Sequence, residues 1–321
     1  MRILLVVDGS SYSDMATKTL KALQLPSQTE VTVMTVVPEP TFLGGITLDM
    51  LGGADISKKE TQQKRAAELL RGPVQVITAS GLKVESLVRW GNPVEMILKL
   101  ADKTGASLVV MGAKGLTDPV AFRLGSVAQK VMKYAGCSVL LARKKTDKVD
   151  RGPLAKKTMA IDQVLLATDG SKYSDAATRF LLDLPLSRQS KVFVVTALQS
   201  HAAALMKMPT LDLETNQQLL AELQAAEERE ARKITTRSQE QLQGKGYKTA
   251  SMVMRGGAGE CILKAAKEND TDIIALGSRG LTGIESFLLG GVCERVARYA
   301  QCSVLIVRPP RVKRSIHMKK V

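Results

Sequence analysis

Histidine, cysteine and aromatic side chains are scarce in this chain, and each scarcity removes a class of function. Two histidines and four cysteines among 321 residues, with no C-x-x-C spacing, leave no ligand set for structural zinc and no thiol–imidazole pair for catalysis. The cysteines suggest no disulfide framework either. Cys137 and Cys302 open the apolar stretches A-G-C-S-V-L-L and A-Q-C-S-V-L-I and read as small buried hydrophobes, while Cys261 and Cys293 fall in helical stretches. With aromatics at 3%, the core must be built from Leu, Val, Ile, Ala and Met. No apolar run reaches the roughly 18 residues that a spanning helix needs. The opening MRILLVVDGSS meets a charge at Asp8 before a signal-peptide core can form, so a cytoplasmic protein without a membrane partner is expected.

Acidic residues are outnumbered, and the net charge of +15 would suggest nucleic acid until it is located. Residues 143–157 carry +5 and residues 308–321 carry +6, together +11 of the +15. The excess therefore sits in a linker and a tail, without interleaved aromatics to stack on bases, and no nucleic-acid partner is expected.

At 321 residues, 45% of them apolar, the chain has material for two ordinary domains. Residues 2–7 are a continuous apolar strand ending at Asp8-Gly9-Ser10, and serines and Asp14 then cap a helix that runs to about Leu25 and stops at Pro26. Residues 30–37 and 83–89 read as further strands. Residues 40–56 are aperiodic and suggest a mobile excursion; residues 57–71 are helical. Gly72-Pro73 breaks or kinks that helix, leaving open whether residues 74–78 resume it or form a strand. Pro93 suits the first turn of a helix, and residues 107–141 then read strand, glycine-rich loop, helix, strand. Alternation of strand and helix predicts a parallel, doubly wound sheet with right-handed crossovers.

The pattern then restarts. DQVLLATDGSKYSDAAT repeats RILLVVDGSSYSDMAT, placing Asp169 opposite Asp8, and Gly277, Gly280 and Gly290 follow Gly112, Gly115 and Gly125 at a constant offset of 165. Such register is an internal duplication. The expected organisation is a first domain over 1–145, a basic linker over 146–160, a second domain over 161–309 and a basic tail over 310–321. The second copy also carries a long charged helix near 212–243.

The loop of the first copy has the spacing G-x2-G-x9-G-S, through Gly112, Gly115, Gly125 and Ser126. Glycines let backbone approach a ligand closely, and a helix opening at Ser126 offers unpaired N–H groups to an anion. The Ser126 hydroxyl is placed to cap that helix or to donate to a phosphate oxygen. Ligand-free turns of this kind also occur.

This spacing resembles the nucleotide-phosphate loop of the universal stress protein family. The resemblance implies two five-stranded domains of strand order 3-2-1-4-5, like those of adenine nucleotide alpha-hydrolases. With that order the sheet reverses between strands one and four, so Asp8 and Gly112 meet at one crevice. It also implies ATP, ADP or AMP as ligand, with magnesium as an optional companion to the phosphates. Asp8 and Val36 would hold adenine and ribose, Gly112, Gly115, Gly125 and Ser126 the phosphates, and Val7, Met111 and Val127 would line the pocket. Asp8 also suits a turn, and Val36 plain core; Lys114 and Arg123 could balance phosphate charge. A second, weaker site would comprise Asp169, Gly277, Gly280, Gly290 and Gly291, because Gly291 replaces the serine and Ala197 the valine. No Walker lysine–serine pair or convergent acid and base is evident, which favours stress-response binding over turnover. The alternatives are slow hydrolysis or group transfer from ATP, and a ligand-free scaffold whose copies pair through their last strands, with a homodimer left open.

Overall fold

The computed structural model describes residues 1–38, 56–116, 118, 124–145, 160–184, 186, 187, 189–198, 213–281 and 289–309. The first copy runs β1 (Arg2–Val6), α1 (Ser11–Ala22), β2 (Glu30–Val37), α2 (Ile56–Thr78), β3 (Lys83–Trp90), α3 (Pro93–Thr104), β4 (Leu108–Gly112), α4 (Ser126–Tyr134) and β5 (Ser138–Ala142). The second runs β6 (Gln163–Ala167), α5 (Lys172–Asp183), β7 (Lys191–Leu198), α6 (Leu213–Gly244), β8 (Lys248–Arg255), α7 (Ala258–Glu268), β9 (Ile273–Gly277), α8 (Gly291–Tyr299) and β10 (Ser303–Val307).

The strands form one ten-stranded sheet in the order β3-β2-β1-β4-β5-β10-β9-β6-β7-β8. Each half therefore has the order 3-2-1-4-5, and its strands are parallel; β5 meets β10 antiparallel, with Leu140 opposite Leu305. Continuous apolar strands are what such a sheet requires, because helices cover both faces. Leu4, Val109 and Met111 belong to the core beneath α3 and α4, whereas Ile3, Leu5 and Val110 belong to the core beneath α1 and α2.

The join between the halves also uses arginines. The Arg143 guanidinium donates to the carbonyls of Ala300, at 2.9 Å, and Ala297, where α8 ends. Reciprocally, Arg308 donates to the carbonyls of Met132 and Lys133 in the last turn of α4, at 2.7 and 3.2 Å. A cation at these carbonyls satisfies acceptors left over by the helix and complements its dipole.

Helix starts follow their local signals. Ser10 caps α1 by accepting the Ser13 N–H, and Asn92 caps α3 by accepting those of Val94 and Glu95 ahead of a first-turn Pro93. The Gly72-Pro73 pair does not end a helix: α2 runs through Pro73 to Thr78. Leu70 and Ile77, two turns apart and 4% and 0% exposed, are both buried in the core under the sheet. That shared burial outweighs the hydrogen bond proline removes. The segment 40–55, read from sequence as a mobile excursion, lies outside the described residues.

Candidate functional site

The strand order reverses between the parallel neighbours β1 and β4, and two loops meet there. Asp8 follows β1, and its carboxylate spans both loops: Oδ1 accepts the Ser10 N–H at 3.0 Å, and Oδ2 accepts the Leu116 N–H at 3.2 Å. The turn reading of Asp8 and its place in the crevice are thus one arrangement, since the same group closes its own turn and anchors the glycine loop.

Gly112 ends β4 where no side chain fits. A Cβ there would stand 2.8 Å from Tyr12 Cβ and 2.9 Å from the Lys114 carbonyl oxygen. The loop then closes on itself through the Gly125 N–H, which donates to the Ala113 carbonyl at 2.8 Å. Lys114 lies 5.9 Å from the Tyr12 ring centre, a cation–π distance. Arg123 falls outside the described residues.

Helix α4 begins differently from the sequence-based expectation. Gly125 is the N-cap and Ser126 the first helical residue, so the Ser126 hydroxyl is exposed and does not cap the helix. A carboxylate from within the loop takes that place. Asp118 Oδ2 accepts the Gly115 N–H at 2.7 Å, and Asp118 Oδ1 accepts the Ser126 N–H at 3.2 Å. Two backbone donors from opposite ends of the loop therefore converge on one anionic group. Gly125 permits this, since a Cβ there would lie 2.1 Å from Asp118 Oδ2. Sequence reasoning passed over Asp118; its signal is the second copy, which has Gly283 at the same offset of 165.

The apolar candidates divide between the two faces of the sheet. Val36, Met111 and Val127 join the core on the α3–α4 side, together with Val6, which the sequence reading did not single out. Val7, 2% exposed, belongs to the opposite core, so its side chain is not grouped with the other three.

The second copy repeats the framework with different fittings. Asp169 accepts the Ser171 and Leu281 N–H groups, both at 3.0 Å, and the Gly290 N–H reaches the Ser278 carbonyl at 3.0 Å. A Cβ on Gly280 would lie 2.7 Å from Asp169 Oδ2. Among the described residues a Cβ on Gly291 would meet nothing within 4 Å, so none of these crowds out a serine there. Under Gly277, the Cys293 thiol donates to the Gly277 carbonyl at 2.8 Å, and burial pushes its pKa up to about 12. Arg279, opposite Lys114, donates to the Tyr173 hydroxyl at 3.0 Å.

Two clefts lie away from the first loop. One of about 350 Å³ is lined by Lys145, Lys264, Asp270 and Tyr299, and one of about 330 Å³ by Tyr134, Tyr173, Arg279 and Arg308. Neither gathers backbone donors around a single anion as the first loop does. Among the described residues no three His, Cys, Asp or Glu side chains converge as a metal site, and no helix is long and apolar enough to cross a membrane.

Comparison with known proteins bears on the same two halves. The model of the universal stress protein family matches residues 1–143 and again residues 160–308. The chain belongs to the universal stress protein family. A universal stress protein of Methanocaldococcus jannaschii is 28% identical over 149 residues, covering 46% of this chain and 83% of that one. A Staphylococcus aureus relative is 31% identical over 143 residues, covering 44% and 82%. The crystal structure of a universal stress protein from Archaeoglobus fulgidus aligns across 96% of this chain and 98% of its own, at 21% identity and a TM-score of 0.61. That last likeness is one of fold: a tandem pair of universal stress protein folds in one chain.

Proposed function

We propose that this universal stress protein binds ATP or a related adenine nucleotide, ADP or AMP, in the crevice of its first copy, and acts as a cytoplasmic stress-response module. The observation that carries this is the convergence of the Gly115 and Ser126 N–H groups on one carboxylate, 2.7 and 3.2 Å away. A loop whose amides hold a carboxylate presents the donors that a phosphate needs, at the positive end of α4. The exposed Ser126 hydroxyl adds a third donor and Lys114 a nearby positive charge. Val36, Met111 and Val127, with the backbone at Val7 and Asp8, would receive the adenine and ribose. Magnesium, where present, would ride on the phosphates.

Domains over 1–145 and 161–309, with a basic linker and tail, belong to the same proposal, as does weaker binding by the second copy. Binding rather than turnover is favoured because the glycine loop carries no Walker-type lysine–serine pair. The antiparallel pairing of β5 with β10 favours a second role in the same molecule, a fixed two-domain scaffold for partners.

Isothermal titration of the intact chain with ATP, beside Ser126→Ala, tests the nucleotide reading. The variant removes one hydroxyl from an exposed first-turn position, so folding is retained. Loss of a hydrogen bond to a charged ligand weakens binding about ten- to a hundredfold. Equal affinity in both proteins would remove Ser126 from the site, and absence of binding by the folded wild type would reject the nucleotide altogether.

A further inference from the structure

We infer that Asp118 is a built-in competitor of the ligand's phosphate, and that it sets both the affinity and the phosphate-dependence of the first site. The inference rests on the nucleotide reading above and concerns how that site is regulated. Asp118 Oδ2 takes the Gly115 N–H and Oδ1 takes the Ser126 N–H, which are the two amides that a phosphoryl group at this helix end would need. The carboxylate also lies where the loop is tightest, with Oδ2 2.1 Å from the position of a Cβ on Gly125. A phosphate and a carboxylate cannot share those donors, because each N–H has one proton to give and the two anions repel.

The duplication supplies an internal control. The offset of 165 that superimposes Gly112, Gly115 and Gly125 on Gly277, Gly280 and Gly290 places Gly283 opposite Asp118. At that position the acidic side chain therefore belongs to the first copy and not to the second. Without ligand, Asp118 completes the start of α4, whose N-cap Gly125 has no side chain to do so. A ligand bearing phosphate must displace it and take over both amides. A nucleoside without phosphate leaves it in place. The first copy thus resists weakly charged adenine compounds and low nucleotide concentrations, and opens its phosphate cradle only to a ligand whose charge outcompetes a carboxylate.

The test is titration of the full chain, as wild type, Asp118→Asn and Asp118→Gly, with ATP and with adenosine, each with and without magnesium. Thermal unfolding of the ligand-free proteins is recorded alongside. Asp118→Asn keeps the shape and removes the charge; Asp118→Gly copies the second loop. Exchange of a charged competitor for a neutral one tightens ATP about tenfold or more and leaves adenosine within about twofold. The same variants melt earlier without ligand, because α4 loses its charged cap. Unchanged or weaker ATP binding in both folded variants, beside a wild type that binds, overturns the inference and leaves the nucleotide reading intact. ATP affinity that falls in the variants only when magnesium is present overturns it too, by making Asp118 a ligand of the nucleotide's cation. Failure of all three folded proteins to bind ATP rejects the nucleotide reading, and the inference falls with it.

Discussion

Asp8 and Asp169 make the same pair of bonds in the two copies. Asp8 ties the Ser10 and Leu116 amides together at 3.0 and 3.2 Å, and Asp169 ties those of Ser171 and Leu281, both at 3.0 Å. Each carboxylate therefore locks the loop after the first strand of its copy to the loop after the fourth. Removal of either by alanine leaves one partly buried amide, that of Ser10 or Ser171, without its acceptor, frees the exposed amide of Leu116 or Leu281 to water, and costs about 1–3 kcal/mol. Urea unfolding will show a similar loss for Asp8→Ala and Asp169→Ala, whereas ATP affinity falls only in Asp8→Ala. Equal effects of both substitutions on ATP binding would place a nucleotide in each copy.

Gly112 and Gly291 bracket the tolerance of the two loops. At Gly112 a methyl group would press on Tyr12 and the Lys114 carbonyl, and at Gly277 it would lie 2.5 Å from the Tyr173 carbonyl carbon. Gly112→Ala and Gly277→Ala are each expected to cost about 1–3 kcal/mol through forced backbone shifts. Gly291→Ser enters open space at the first position of α8, so its unfolding midpoint stays close to the wild type. The new hydroxyl strengthens ATP binding by the second copy about tenfold, read by titration as a second saturable phase.

Much of this was legible in the chain. Continuous apolar strands, the Asp-Gly-Ser turns and the constant glycine offset specify the architecture and bring Asp8 to Gly112, because the topology of a doubly wound sheet leaves few places for them. Two features resisted. Pro73 is a local breaker overruled by the burial of Leu70 and Ile77, a tertiary effect invisible to periodicity read one element at a time. Asp118 sits between glycines that already explained the loop, so its acidity carried no pattern of its own; only Gly283 in the other copy marks it as added. The cap expected from Ser126 came instead from that residue, since α4 starts at Ser126 itself, one position earlier than a serine cap would require.

The four thiols should separate by burial. Burial raises the pKa of both Cys293 and Cys302 to about 12 from 9.0, and raises that of Cys261 as well, while Cys137 is half-buried. Thiolate is the reactive form, so iodoacetamide at about pH 8 will label Cys137 first in the native protein and all four only after unfolding. Mass spectrometry of the peptides reads the order. Because the folded state holds the Cys293 and Cys302 thiols neutral, their contribution to stability is complete below pH 9.0 and lost as pH rises towards about 12.

Arg143 and Arg308 should matter to the whole molecule, not to one half. Each reaches helix-terminal carbonyls of the other copy. Arg143→Ala or Arg308→Ala removes charge-assisted bonds of about 1.5–3 kcal/mol and lowers the denaturant midpoint, with little change in ATP affinity. An unchanged midpoint in both variants would show that the paired strands β5 and β10 hold the join unaided.

The most direct measurement of the central claim is the nucleotide stoichiometry of the intact chain, by native mass spectrometry across an ATP titration, beside Ser126→Ala. Occupancy that saturates at one nucleotide per chain, and is lost or strongly weakened in the variant, is the predicted result. Two equivalent nucleotides per chain, or none on a folded protein, would contradict a phosphate cradle built from Gly115, Gly125 and Ser126 in the first copy alone.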